Sequence, residues 1–186
     1  MNKVLLPVFY LPTISWFSVF LNPGKEIVFE QFESFPKQTY RNRANIFGAN
    51  GKLSLIIPIS HNGKREYKDI EISYREDWQN LHWKSIKTAY QSSPYFEFYE
   101  DKLRKIFEIK EKNLLDFNLK ALEIIIQVLK TEKAYSLNKE YIKNPEEISF
   151  REKFSAKNPD WQLYIYGATE GEYFEKIYIS YIHFCI

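Results

Sequence analysis

His82 is the side chain whose type and setting best suit chemistry. It lies within residues 77–94, Asp77-Trp-Gln-Asn-Leu-His-Trp-Lys-Ser-Ile-Lys-Thr-Ala-Tyr-Gln-Ser-Ser-Pro94, a stretch that reads as one helix. Asp77 suits the N-cap, where a carboxylate takes up orphan backbone N–H groups, and Pro94 disfavours helical geometry at Ser93. At helical spacing Trp78, Leu81, His82, Ser85, Ile86 and Ala89 share one face, with Asn80, Lys84, Lys87 and Gln91 on the other. An imidazole near its free pKa takes and returns a proton at neutral pH, and the Ser85 hydroxyl stands about one turn away. The alternative is a core histidine bonded to a carbonyl.

A second constellation is cationic. Residues 38–47 alternate as a strand does, so Lys37, Arg41 and Arg43 form one row if the strand starts at Lys37. Guanidinium groups grip phosphate or carboxylate through paired hydrogen bonds, which suits a nucleotide-linked substrate. The competing reading is a solvated face paired with Glu30 and Glu33. Asp69 and Glu30 are further carboxylates able to orient a histidine or hold a substrate amine, although lone carboxylates usually sit at the surface.

These residues need elements to hold them. Residues 4–9 make an apolar run of strand length, Pro12 suits the first turn of a helix reaching Phe20, and residues 26–30 form another β-branched strand. Strand, helix, strand with short links opens a βαβ unit and predicts a parallel pair at the sheet's centre. Gly48-Ala-Asn-Gly51 is a hairpin turn leading to a partner strand over 53–59, with Pro58 at an edge or bulge. A loop containing His61 then gives a further short strand over 67–74. Two more helices follow, 95–107 and roughly 113–130, the last with an apolar stripe of Leu115, Leu119, Leu122, Ile125, Ile126 and Leu129. Residues 131–160 are charged and turn-rich, with Asn144-Pro and Asn158-Pro breakers, and 161–186 are aromatic with weak periodicity. The fold class is therefore α/β with a mixed sheet: an opening βαβ unit, a hairpin and further strand, then a block of three helices. Residues 1–186 read as a single domain.

Composition narrows the function. A net charge of +2 lacks the concentrated basic footprint of a nucleic-acid binder, so no nucleic-acid partner is expected. The single cysteine, Cys185, excludes an intrachain disulfide and a cysteine-based zinc site; no metal-ligand set stands out, and with no Walker loop, G-x-G-x-x-G or H-E-x-x-H motif the sequence leaves any cofactor open. The uncharged stretch 4–24 is broken by Pro7 and Pro12 and followed by no small-residue cleavage site, which argues against a signal peptide or an integral membrane segment. A cytoplasmic location is expected.

Several blocks in order resemble the WbqC-like family: Leu-Pro-Val-Phe-Tyr-Leu-Pro at the start, Lys37-Gln-Thr-Tyr-Arg-Asn-Arg43, Asn50-Gly51 before Leu-Ile-Ile-Pro58, Lys68-Asp69-Ile70, and Trp78 through His82 to Tyr90-Gln-Ser-Ser-Pro94-Tyr-Phe. The resemblance covers about residues 3–100; the end, Tyr178-Ile-Ser-Tyr-Ile-His183-Phe-Cys-Ile186, is atypical. Members carry a histidine near the first strand, where this chain has Pro7, Phe9 and Tyr10. The family is associated with O-antigen and related surface-polysaccharide gene clusters, and some members are proposed to transfer glycine or another acyl group to an amino sugar. The resemblance thus implies an acyl or aminoacyl transferase acting on a small, anionic, nucleotide-linked amino sugar. In that expectation His82 is the base, Lys37, Arg41 and Arg43 hold the diphosphate, Trp78 and Tyr90 wall the pocket, and Asp69 and Ser85 complete the substrate site. The other expectation is a non-catalytic module that binds an anionic ligand or a partner protein. A concave pocket shared by His82 and the arginines favours the enzyme; a sealed His82 beside an exposed cationic strand favours the binder.

Overall fold

A computed structural model describes residues 2–36, 38–60, 63–143, 148–151, 153 and 154. Lys37, His61, both Asn-Pro breakers and the aromatic end over 161–186 lie outside the described residues. In chain order the elements are β1 (Asn2–Pro7), α1 (Ile14–Phe20), β2 (Lys25–Glu30), β3 (Arg43–Gly48), β4 (Gly51–Ile56), β5 (Ile59–Ser60), β6 (Glu71–Ile72), α2 (Trp78–Tyr90), α3 (Phe96–Arg104), α4 (Leu114–Val128), β7 (Tyr135–Leu137) and β8 (Ile148–Ser149). The class is α/β, as the sequence predicts.

The opening βαβ unit forms: β1 and β2 pair in parallel from Asn2↔Lys25 to Pro7↔Glu30. Val4, Leu5, Leu6, Ile27, Val28 and Phe29 are all buried. Such near-continuous apolar runs are what a parallel sheet covered on both faces requires. Helix α1 packs its aromatics on this pair, with Trp16 stacked on Phe20 at 5.0 Å and Phe20 on Phe29 at 5.7 Å. Two strands missed in the turn-rich segment complete the sheet, whose order is β7-β2-β1-β8, all parallel. The chain lays its first three parallel strands outward in one direction, then places the fourth on the far side of the first. Open α/β sheets take their ligands in the crevice beyond the carboxyl ends of the strands at such a reversal. Here that point lies between β1 and β8.

Antiparallel pairing is confined to two small sheets, the β3–β4 hairpin and β5–β6. The hairpin closes through a two-residue link before Gly51, whose φ of +95° is the conformation glycine tolerates and side chains resist. The strand expected over 67–74 is shorter, because Tyr67–Asp69 winds into a 3₁₀ turn and only β6 is extended. The strand expected from residue 38 likewise starts only at Arg43; Gln38, with φ of +57°, bends the chain away from extended geometry.

The three-helix block forms as expected, with α3 continuing into a 3₁₀ turn, Lys105–Glu108. Helix α4 buries Leu114, Leu115, Phe117, Asn118, Ala121, Leu122 and Ile125 against the core. Asp77 occupies the N-cap of α2 but makes no side-chain capping bond. The buried face of α2 is also rotated from the expected one: Gln79 is inside and Leu81 is exposed. Gln79 is buried because its amide donates to the Ile109 carbonyl at 2.7 Å, so burial leaves that group paired. Among the described residues, no helix is long and apolar enough to cross a membrane.

Candidate functional site

The turn that follows β1 is held from four directions. The Pro7 carbonyl accepts from Trp16 Nε1 at 2.8 Å, and the Val8 carbonyl from the Tyr67 hydroxyl at 3.0 Å. Tyr10 N–H donates to the Tyr40 carbonyl at 2.9 Å, and its hydroxyl lies 3.0 Å from His82 Nδ1. The next residue, Leu11, has φ of +44°, a left-handed conformation that a branched side chain keeps only when its surroundings impose it. Helices α1 and α2, the 3₁₀ turn and the loop before β3 therefore all converge on the carboxyl end of β1.

His82 is 4% exposed, and its ring also hydrogen-bonds the Ile56 backbone carbonyl. A carbonyl only accepts, so the single N–H of the neutral ring goes there, leaving Nδ1 to accept the Tyr10 proton. Burial lowers the His82 pKa to about 4, only partly offset by the Ile56 bond, so the ring is uncharged at neutral pH. Burial pushes the Tyr10 phenol well above its ordinary range. Trp78 packs edge-on against His82 at 5.2 Å and against Phe117 at 5.5 Å, with its indole Nε1 buried and unpartnered.

Beside this turn, the carboxyl ends of β2, β7 and β8 carry a buried charge network. Glu30, with no exposed surface, accepts from Arg151 Nε at 2.9 Å, from Arg151 Nη2, and from Asn138 Nδ2 at 2.5 Å. Glu33 holds Arg41 by two bonds, Nε to Oε1 at 2.5 Å and Nη2 to Oε2 at 2.6 Å. The Arg41 guanidinium lies over the Phe9 ring at 5.6 Å. Burial raises the Glu33 pKa, with Arg41 acting against it. Asn118 on α4 ties the two parts together, its Nδ2 donating to the Arg41 carbonyl at 2.6 Å and to the Tyr67 hydroxyl at 2.7 Å.

The other expected site residues scatter. Arg41 is neither on a strand nor on a solvated face; its partner Glu33 matches the pairing alternative, but in the dry interior. Arg43 begins β3 with its Nε buried and unpartnered, so Arg41 and Arg43 do not form a row. Tyr90 reaches the same hairpin, its hydroxyl accepting from Phe47 N–H at 3.3 Å. Ser85 donates to the Leu81 carbonyl of its own helix at 2.9 Å. Asp69 sits half-buried in the 3₁₀ turn, its charge felt by Lys64. Lys37 is outside the described residues. A surface groove of about 710 Å³ lies at the opposite, amino edge of the sheet, around Lys130 and Tyr135, away from all of these. No cluster able to hold a metal ion occurs among the described residues.

A profile of the WbqC-like protein family matches residues 8–177. The chain belongs to the WbqC-like family. No curated protein and no solved structure matches it. The family span begins at Val8, the first residue past β1, and runs well beyond the motifs that end near residue 100. It thereby takes in Asn118, Asn138 and Arg151, the parts of the WbqC-like carboxyl edge that sequence reading missed. Tyr10 was within reach of that reading, since it follows the opening strand where a βα turn places ligand-binding groups. Asn138 and Arg151 were not, because strands of three and two residues carry no periodicity.

Proposed function

We propose that this WbqC-like protein is an acyl or aminoacyl transferase acting on a nucleotide-linked amino sugar in surface-polysaccharide biosynthesis. Family membership supports the polysaccharide setting, a family trait. The observation that carries the site is the Tyr10–His82 pair on the pinned turn beyond β1, where the strand order reverses. In the reaction the sugar amine attacks the acyl carbonyl, the C–N bond forms, the donor's leaving group departs, and the amine loses a proton. That proton passes to the Tyr10 oxygen while the phenolic proton moves to His82 Nδ1. Burial keeps the ring unprotonated at neutral pH but also makes it a weak base, so the transfer needs the opened, rehydrated site, where the pKa returns toward that of a free imidazole. Because both side chains are sealed, the amine reaches Tyr10 only when the crevice opens.

Turnover with a UDP-linked amino sugar and an acyl donor tests this. His82→Ala should lower kcat by about two to four orders of magnitude while the protein still melts cooperatively. Turnover preserved within a few-fold would sink the assignment. A second reading, a non-catalytic module for an anionic ligand, is favoured by one observation: both His82 nitrogens are already committed inside the core. Under that reading a nucleotide sugar raises the melting temperature and no turnover follows with any donor.

A further inference from the structure

The β3–β4 hairpin buries one face and leaves much of the other exposed. Ala44, Ile46 and Leu55 turn inward and are buried, so the alternating positions Arg43, Asn45, Phe47, Lys52, Ser54 and Ile56 share the opposite face. Phe47 is 66% exposed, and Lys52 stands directly opposite it in the register. Ser54 donates to Asn45 Oδ1 at 2.7 Å, which fixes that polar pair between the two ends. Neither Arg43 nor Lys52 has a carboxylate partner among the described residues, and Arg43 Nε is buried with nothing to donate to.

We infer that this face holds the nucleoside diphosphate of the substrate. The inference rests on the nucleotide-linked reading above and adds where and how the nucleotide is gripped. The base stacks on Phe47, since every base offers a π-face to an aromatic ring. The ribose hydroxyls lie across the Asn45–Ser54 pair. The diphosphate meets Arg43, whose planar fork bonds phosphate oxygens in pairs, while Lys52 adds a point charge near the tip. Four steps along the strand take Arg43 to Phe47, roughly 13 Å at the usual rise, which suits the reach from a base to its second phosphate. Direction follows from the chain. Arg43 is at the hairpin's root, and its register partner Ile56 offers its carbonyl to His82. The root is thus the end of the hairpin nearest the Tyr10–His82 turn, and a diphosphate at Arg43 places its sugar at that end.

Calorimetric titration of the full chain with UDP and with a UDP-linked amino sugar tests the inference. The wild-type protein should bind both, and Phe47→Ala should weaken both by about tenfold or more. Arg43→Gln and Lys52→Glu should each weaken them as well and flatten the salt dependence of binding. Because Phe47 and Lys52 are exposed, the variants at these two positions should melt near wild type, and Phe47→Leu keeps an apolar group there if Phe47→Ala does not fold. Unchanged affinity in all the variants, with the wild type binding the sugar nucleotide, overturns the hairpin site and leaves the transferase reading standing. A wild-type protein that binds neither nucleotide overturns the inference too, and turnover on an amino sugar without a nucleotide then decides the fate of the transfer reading.

Discussion

Arg41 and Arg43 are two residues apart and have opposite fates. Arg41 is 2% exposed, held by both oxygens of Glu33, and lies over Phe9. Arg43 opens a hairpin whose outer face carries no carboxylate partner for it among the described residues. A guanidinium that already grips a carboxylate away from water has little left for a phosphate, since binding one means first breaking that pair. Its work is to set the shape of the carboxyl edge. The Arg43 guanidinium has no such partner among the described residues, and in the inference above its outer donors are the ones that meet a phosphate. The lesson is that two like charges in one short motif divide between frame and grip, and that partners, not residue type, decide which is which.

The widest test of this contrast is stability. Arg41→Ala leaves the buried Glu33 carboxylate without its two hydrogen bonds, with only the more distant charge of Arg151 to offset burial, and removing one member of a buried pair costs about 3–5 kcal/mol. Arg43→Ala removes no pair and should cost at most about 1 kcal/mol. Urea unfolding of both variants measures the difference directly. Equal losses would mean that the two arginines are not divided as described. Within the frame, Tyr10→Phe takes the donor from His82 Nδ1 and should cost about 1–3 kcal/mol, the usual penalty for an orphaned buried acceptor.

Much of this frame was readable in advance. The βαβ opening, the hairpin and the helix block follow from apolar period and turn chemistry alone. The inward aim of Trp78, His82 and Ile86 also follows from helical spacing. What escaped has specific causes. Alternation through 38–42 imitates a strand, but Gln38 turns the chain, and the Glu33 carboxylate then collects the Arg41 side chain from eight residues away. Gln79 is polar yet buried because the Ile109 carbonyl needed a donor. The edge strands that present Asn138 and Arg151 are held by pairing with β2 and β1, a long-range effect that no local window contains.

A pH series sharpens the frame at one bond. In the folded chain His82 stays neutral until about pH 4, whereas an unfolded histidine charges near 6.5. Between those values the unfolded state binds more protons, so this group's contribution to stability rises with pH from about 4 to about 6.5 and is complete above. Glu33 acts the other way: its folded pKa lies above 4.5, so its contribution is present below that value and is lost as pH rises through the folded pKa. Comparing wild type with His82→Gln cancels Glu33 and isolates the histidine. The variant's unfolding free energy should climb less steeply across the window, and parallel curves would show that His82 is not kept neutral by the fold.

The smallest expected change in stability belongs to Phe47→Ala. The ring is mostly in water, so trimming it removes little buried area; the loss is confined to its cross-strand contact with Lys52, a few tenths of a kcal/mol on a hairpin. The bond from Phe47 to the Tyr90 hydroxyl uses the backbone N–H and survives the substitution. Stability should therefore move by less than about 0.5 kcal/mol. A loss well above 1 kcal/mol would make Phe47 part of what holds the hairpin on α2, and the hairpin would then belong to the frame rather than to the grip. A near-zero change, set beside the fall in nucleotide affinity expected of the same variant, separates the two roles in one protein.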